Sequence, residues 1–258
     1  MDDSASVKTE AIAGRNSVIE ALRSGRPINK IMLSKGELSG SVREITAKAK
    51  ELGLVVQRVE NAKLEQLANG VKHQGVVALV SPVSYAELED ILQKSRMPGE
   101  NPFLLLLENI TDPHNVGAIL RTADAAGVHG VLIPKRRSCP LTQAVAKTSA
   151  GAVEYVPVAR IGNVAETIKR LKKEGFWIFG ADAGAGLDNV YCRADFKRPL
   201  VIVIGSEGEG LSRLTKENCD FLLSIPMAGK VSSLNASVAC SLLLYEVLRK
   251  RRADFQDA

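Results

Sequence analysis

Val201-Ile202-Val203-Ile204-Gly205-Ser206-Glu207-Gly208-Glu209-Gly210 is followed, after a short interval, by Ile225-Pro226-Met227-Ala228-Gly229-Lys230-Val231-Ser232-Ser233-Leu234-Asn235-Ala236-Ser237-Val238-Ala239. Both stretches read as buried strands that end in polar, glycine-rich loops. In an α/β domain, ligands bind at the loops beyond the carboxyl ends of parallel strands. These two loops carry a carboxylate, hydroxyls and an amide, but no nucleophilic cysteine and no metal cluster. That chemistry suits the holding of a small cofactor.

Outward from these loops, strand and helix signals alternate. Strands are expected over 103–107, 130–133, 155–158, 176–181, 200–204 and 221–225, with helices through 119–126, around 141–148, over 164–174 and from 235 to 252. This is the pattern of a mostly parallel, doubly wound sheet. Upstream, Ser81-Pro82-Val83-Ser84-Tyr85 and Ser95-Arg96-Met97-Pro98-Gly99-Glu100-Asn101-Pro102 flank a short charged stretch, and a linker is expected over 81–101. Before it, helices over 11–22 and 42–52 and strands over 28–33, 55–59 and 76–80 make a small α/β domain over 1–80. The larger α/β domain takes 102–258.

With 45% hydrophobic and 24% charged residues in 258, the chain is globular rather than disordered. No apolar run reaches the ~18 residues of a membrane span, and the acidic start Met1-Asp2-Asp3 is the wrong charge for a secretory leader, so a cytoplasmic protein without membrane contact is expected. Cys139, Cys192, Cys219 and Cys240 form no CxxC pair and have no histidine cluster beside them. They read as reduced, mostly structural thiols, with no metal site. A net charge of +5 favours a polyanionic partner, nucleic acid first. Aromatics at 4% argue against a stacking platform built on rings.

Neither a G-x-G-x-x-G dinucleotide turn nor a Walker phosphate loop is present. Three polar loops remain: Glu108-Asn109-Ile110-Thr111-Asp112-Pro113-His114-Asn115-Val116-Gly117 running into Arg121, the Gly205-Ser206-Glu207 loop, and Ser233-Leu234-Asn235. Each has a purely structural reading. Asn115 precedes a helix and suits its N-cap, Arg121 suits a mid-helix ion pair, Glu207 suits the satisfaction of loop amides or a helix cap, and Ser233 and Asn235 suit capping of the last helix. Capping and substrate contact can coexist. His114 reads as structural, His73 as a structural turn residue or an RNA contact, Lys135-Arg136-Arg137 as a solvated loop or a phosphate contact, and Lys169-Arg170-Leu171-Lys172-Lys173 as the wet face of a helix.

The motifs N-x-G-x-x-x-R (Asn115, Gly117, Arg121), G-S-E-G-x-G (205–210) and I-P-M-x-G-x-x-x-S-L-N (225–235), in this order and each after an expected strand, resemble the SpoU branch of the SPOUT RNA 2′-O-methyltransferases. The likeness covers essentially 103–252. It extends upstream, where Gly14-Arg15-Asn16-Ser17-Val18-Ile19-Glu20-Ala21-Leu22 and Val71-Lys72-His73-Gln74-Gly75-Val76-Val77-Ala78 resemble the L30e-like substrate-binding domain of the large-subunit rRNA members. The nearest likeness is to the 23S rRNA guanosine-2′-O-methyltransferases.

The resemblance implies S-adenosylmethionine as cofactor, held in a deep trefoil knot, and a homodimer with the active site near the subunit interface. Periodicity alone implies only an open sheet. Carried over by position, Gly205, Ile225 and Leu234, with Ile204 and Met227, would contact the cofactor, and Asn115, Arg121, Glu207, Ser233 and Asn235 would line the reaction site. Methyl transfer from a sulfonium to a ribose 2′-hydroxyl is an in-line displacement, so the protein must align oxygen, carbon and sulfur and help remove one proton. The resemblance implies the motif arginine, Arg121, as the proposed base. Neutralising a guanidinium of ordinary pKa at pH 7 costs roughly 7.5 to 9 kcal/mol, so Arg121 is either a base in a site that lowers this cost or a clamp on phosphate and hydroxyl.

The expected function is a SAM-dependent RNA ribose 2′-O-methyltransferase acting on 23S rRNA. A tRNA ribose methyltransferase and a non-catalytic RNA-binding assembly factor are the alternatives. The compact front module speaks against the first, and the intact motif residues against the second.

Overall fold

The computed structural model describes residues 10–35, 40–80, 84–97, 99, 101–186 and 189–252. In chain order the elements are β1 (Glu10–Ala13), α1 (Arg15–Arg23), β2 (Ile28–Ser34), α2 (Gly40–Glu51), β3 (Val56–Val59), α3 (Asn61–Ala68), β4 (Val76–Val80), α4 (Leu88–Ser95), β5 (Phe103–Leu107), α5 (Pro113–Ala125), β6 (Gly130–Pro134), α6 (Gln143–Thr148), β7 (Val158–Ile161), α7 (Val164–Lys173), β8 (Trp177–Ala181), β9 (Leu200–Ile204), α8 (Arg213–Asn218), β10 (Phe221–Leu223) and α9 (Ala236–Arg251).

The first compact unit comprises residues up to 84 together with 141–155. Its sheet runs β1-β4-β2-β3, antiparallel except for the β2/β3 pair. Strand alternation sends Val76, Ala78 and Val80 toward α1 and α2, and Val77 toward Leu64 and Ala68 of α3. The helix expected over 11–22 is two elements. Gly14, at φ 102, breaks the chain there, and Ala11–Ala13 pair with β4 as the edge strand β1. Four apolar-rich residues at the start of a helical pattern cannot be told from its first turn without their partner strand.

The second unit comprises 85–140 and the chain from 156 onward. Its six strands are all parallel, in the order β10-β8-β9-β5-β6-β7. Leu104, Leu106, Leu132, Val201 and Val203 face one side, where Ile91 and Leu92 of α4 and Ile168 and Leu171 of α7 cover them. The structure departs here from the expected linker. Ala86 bridges to Ala159, and α4 seats Ile91 against β6 so closely that a Cβ on Gly130 would meet Ile91 Cγ2 at 2.5 Å. The charged residues around Glu89 that read as linker are the wet side of this helix, with Glu89 paired to Arg170 at 2.7 Å. Of the expected linker, residues 81–83, 98 and 100 lie outside the described residues.

The helix expected around 141–148 is present as α6, but the unit it belongs to and the strand expected over 155–158 differ. Residues 141–155 belong to the first unit, where α6 packs on β1 and Glu154, buried with Arg26 at 2.6 Å, is held by an ion pair. The strand begins only at Val158. The basic run 169–173 lies on α7 with Leu171 buried and Lys172 paired to Asp220 at 2.7 Å, as its helical spacing indicates. Burial raises the pKa of Cys219 to about 12 and that of Cys240 further still, so both behave as packing residues rather than nucleophiles.

Helix α9 is moored at its carboxyl end by Arg251. The guanidinium donates to the carbonyls of Phe196, Asn101, Pro102 and Arg198 at 2.6 to 3.3 Å and lies 5.2 Å from the Phe103 ring centroid. Burial lowers its pKa to about 10, which leaves it charged at pH 7. Overpacking beneath α4 gives a first expectation. Gly130→Ala should lower unfolding free energy by about 1 to 3 kcal/mol in urea titrations, and a double variant with Ile91→Ala should lose less than the sum of the singles. Additive losses would show that α4 does not rest on Gly130.

Candidate active site

The strand order reverses between β5 and β9, because β6 and β7 extend the sheet on one side of β5 while β8 and β10 lie beyond β9. Such a switch point opens a crevice at the carboxyl ends of the strands. Register brings the polar loops there. Leu107 pairs with Ile204, and Glu108 N–H donates to the Ile204 carbonyl at 2.8 Å, so the loop after β5 starts beside Gly205.

Three of the expected side chains meet at this point. Glu207 Oε1 accepts from Asn115 Nδ2 at 2.8 Å, from Asn235 Nδ2 at 2.5 Å and from the Ala236 backbone N–H at 3.3 Å. Asn235 Nδ2 also reaches Asn115 Oδ1 at 2.9 Å. Asn235 Oδ1 caps α9, accepting from Ser237 N–H at 2.9 Å and Val238 N–H at 3.3 Å. Asn235 therefore caps with its oxygen and joins the network with its nitrogen, so the two readings of this residue coexist. Glu207 adds a negative charge at the positive end of the same helix.

Two capping assignments change. Asp112, not Asn115, caps α5: its carboxylate accepts from His114 and Asn115 N–H at 3.2 Å each, with Pro113 in the first turn. Asn115 sits inside that first turn, which frees its amide for Glu207. Ser233 caps nothing and is exposed in the loop before α9. Arg121 is not gathered into the network. It is exposed on α5 and makes no hydrogen bond or ion pair among the described residues. His114 is exposed in the first turn of the same helix, while His73 Nδ1 accepts from Gly75 N–H at 3.0 Å within a turn.

Next to the network is a cavity of about 310 Å³, within the range of small-molecule sites. Gly205, Ile204, Ile225, Met227 and Leu234, the expected cofactor contacts, all line it, as do Glu207 and Ser233. Its shape depends on the 205–210 loop doubling back, with Gly210 N–H donating to the Ser206 carbonyl at 2.9 Å. A Cβ on Gly205 would come within 2.2 Å of the Gly210 backbone carbon, so glycine is required there by close approach of backbone to backbone. Apolar walls from Ile204, Leu223 and Leu234, with Ser206 and an Asp182–Lys216 pair at 3.0 Å, provide both surfaces that a nucleoside bearing an amino-acid arm needs.

Sequence reading passed over two features of this site. Asp182 and Lys216 come from the end of β8 and from α8, and no local signal marks either. Glu108, which has no role in the sequence motifs, is buried and holds the site together. Its carboxylate accepts from Ser212 N–H at 3.0 Å, Ser212 Oγ at 2.9 Å and Thr215 Oγ1 at 2.8 Å, which ties the end of β5 to the segment leaving the glycine loop. An acid directly after a buried strand and opposite an S-x-x-T cap was the available signal. Glu108→Ala leaves three donors facing a void, so it should lower unfolding free energy by about 2 to 3 kcal/mol, with Glu108→Gln intermediate because its amide offers a donor where an acceptor is needed. A loss below about 1 kcal/mol for the alanine variant, measured by denaturant titration, would contradict this role.

The described residues hold no cluster of His, Cys, Asp or Glu able to bind a metal ion, and no described helix is long and apolar enough to cross a membrane. The sequence profile of the SpoU rRNA Methylase family matches residues 102–245, and that of the RNA 2′-O ribose methyltransferase substrate-binding domain matches 11–86. A Bacillus subtilis protein described as a putative TrmH family tRNA/rRNA methyltransferase is 49% identical over 240 residues, covering 93% of this chain and 95% of its own. Among solved structures, an RNA 2′-O ribose methyltransferase superposes with a TM-score of 0.81 at 28% identity, over 95% of this chain and 90% of that one. The SpoU methyltransferase AviRb from Streptomyces viridochromogenes, in complex with the cofactor AdoMet, does so with a TM-score of 0.75 at 26% identity, over 93% and 89%. With the fold and both family profiles in agreement, the chain belongs to the SpoU methylase family, RNA ribose 2′-O-methyltransferases of TrmH type that depend on S-adenosylmethionine.

Proposed function

We propose that this enzyme methylates the 2′-hydroxyl of a guanosine in 23S rRNA, in the cytoplasm, with S-adenosylmethionine held in the cavity beside Glu207. The observation that carries the reading is the convergence of Asn115 and Asn235 on one Glu207 carboxylate oxygen at the mouth of a cavity lined by all five expected cofactor contacts. When bound, the cofactor supplies an electrophilic methyl group. Backbone groups of Gly205, Ile225 and Leu234 hold it, with Ile204 and Met227 as apolar walls. Asn115, Glu207, Ser233 and Asn235 orient the ribose, and Arg121 removes or polarises the 2′-hydroxyl proton and clamps the adjoining phosphate. The ribosomal rather than transfer RNA target is supported by the substrate-binding module over 11–86, a recruiting domain placed ahead of the catalytic one.

The working unit is a homodimer whose chains are knotted around the cofactor. Val238, Leu242 and Tyr245 are 48%, 40% and 52% exposed along one side of α9, an apolar row that a second copy would cover. The network lies at the amino end of this helix, and an unpaired Arg121 on the neighbouring α5 suits a site completed by the pairing.

The test is transfer of labelled methyl from S-adenosylmethionine into total RNA of a strain lacking the endogenous enzyme, with the modified ribose mapped. Label in large-subunit rRNA is expected. Arg121→Ala should reduce it about a hundred-fold or more while leaving S-adenosylhomocysteine affinity by calorimetry unchanged. Gly205→Ala should abolish that affinity, because the loop cannot close. Label in tRNA would transfer the substrate assignment, full activity of Arg121→Ala would remove that residue from the reaction, and no label in any RNA, assembly intermediates included, would overturn the reading.

A further inference from the structure

The chain has one tryptophan and six phenylalanines, and four of these seven rings meet at the β8/β10 edge of the catalytic sheet. Trp177 and Phe221 stack with centroids 5.3 Å apart and planes 11° from parallel, and Phe221 continues onto Phe179 at 5.1 Å and 18°. Phe196 supports Phe179 edge-on from below at 5.1 Å and is fully buried. The stack is open to solvent at its central ring, since Phe221 is 44% exposed on the terminal strand β10. Edge strands ordinarily carry charge or proline, so an exposed aromatic ring here runs against the usual protection of an edge.

The groove over these rings has a volume of about 360 Å³ and is flanked by Arg193 and Arg198. The Arg198 guanidinium lies 4.7 Å from the Trp177 ring centroid. Arg193 is exposed and makes no ion pair among the described residues. Asp195 also lines the groove, but stands 3.9 Å from Arg198 in an exposed contact, which leaves the rim net positive. Leu223, at the end of β10, lines both this groove and the cofactor cavity.

We propose that this groove is a second RNA contact of the catalytic domain, one that takes an unpaired base of the substrate strand on the Phe221 and Trp177 rings and its flanking phosphates on Arg193 and Arg198. Flat rings accept any base by its π face, and guanidinium groups beside them add cation–π and phosphate contacts. A base inside a duplex cannot reach such a surface, so the site selects single-stranded segments. Because β10 borders both cavities, a strand held here runs beside the ribose that is methylated. The inference rests on the RNA class of the family and not on which RNA is modified.

Trp177 is the only tryptophan, so its emission reports on this groove alone. The full chain is titrated with a single-stranded oligoadenylate about a dozen nucleotides long. Saturable quenching of Trp177 is expected, with affinity falling about ten-fold in Phe221→Ala. In the double variant Arg193→Glu with Arg198→Glu, the slope of log K against log salt should shrink by about 1.4, the value for two lost single-strand phosphate contacts. S-adenosylhomocysteine affinity stays unchanged in all of these variants. If Phe221→Ala unfolds, the arginine variants carry the test, since both side chains are exposed. The proposal is overturned if oligoadenylate binds by anisotropy without changing Trp177 emission, or if neither substitution alters affinity. It is overturned equally if Phe221→Ala converts a sedimenting dimer to monomer, which would assign the face to a second copy. Absence of methyl transfer with quenching intact would sink the proposed function and leave this groove standing.

Discussion

One carboxylate oxygen organises the active site. Glu207 Oε1 receives the amides of Asn115 and Asn235 and the first backbone N–H of α9, so loops that follow three different strands are held to a single point. A carboxylate can accept several donors at once, and each bond to an ionised acceptor is shorter and stronger than a neutral one. No hydroxyl or amide at position 207 could serve all three donors with the same charge at a helix amino end. Because the donors come from two segments, the first turn of α5 and the start of α9, and the acceptor from a third, the cavity mouth keeps its shape only while this carboxylate is in place.

Around that point, the parallel sheet does the placing. Register between β5 and β9 sets Glu108 beside Gly205, and the buried Glu108 carboxylate then carries the chain through Ser212 and Thr215 into α8. Helix α9 is held at both ends: by Asn235 and Glu207 at its start, and by the four carbonyl contacts of Arg251 at its finish. Thr122 of α5 and Ser241 of α9 meet at 3.1 Å between these anchors. The site thus rests on rigid elements, with its loops doubled back on themselves rather than left open.

The aromatic cluster shows a placement that composition does not record. A 4% aromatic content argues against a ring platform on average, yet the sheet brings Trp177, Phe179 and Phe221 into one row, because parallel strands in register place matching side chains side by side. The same limit explains the misread front edge. Residues 10–13 and 88–95 have the local patterns of a helix start and a charged linker, and only pairing with β4, and packing of Ile91 over Gly130, reveals them as strand and helix.

What the sequence by itself determined are the features encoded over a few residues: the apolar runs of β5 and β9, the amphipathic face of α7, the polar glycine-rich loop after β9, and the motif order that identifies the family. Tertiary structure alone decided which polar groups meet. Asn115 and Glu207 are separated by 92 residues, Glu108 and Ser212 by 104, and Asn115 and Asn235 by 120. Hydrogen bonds of this kind depend on strand order and register across the whole sheet, and no local period records them.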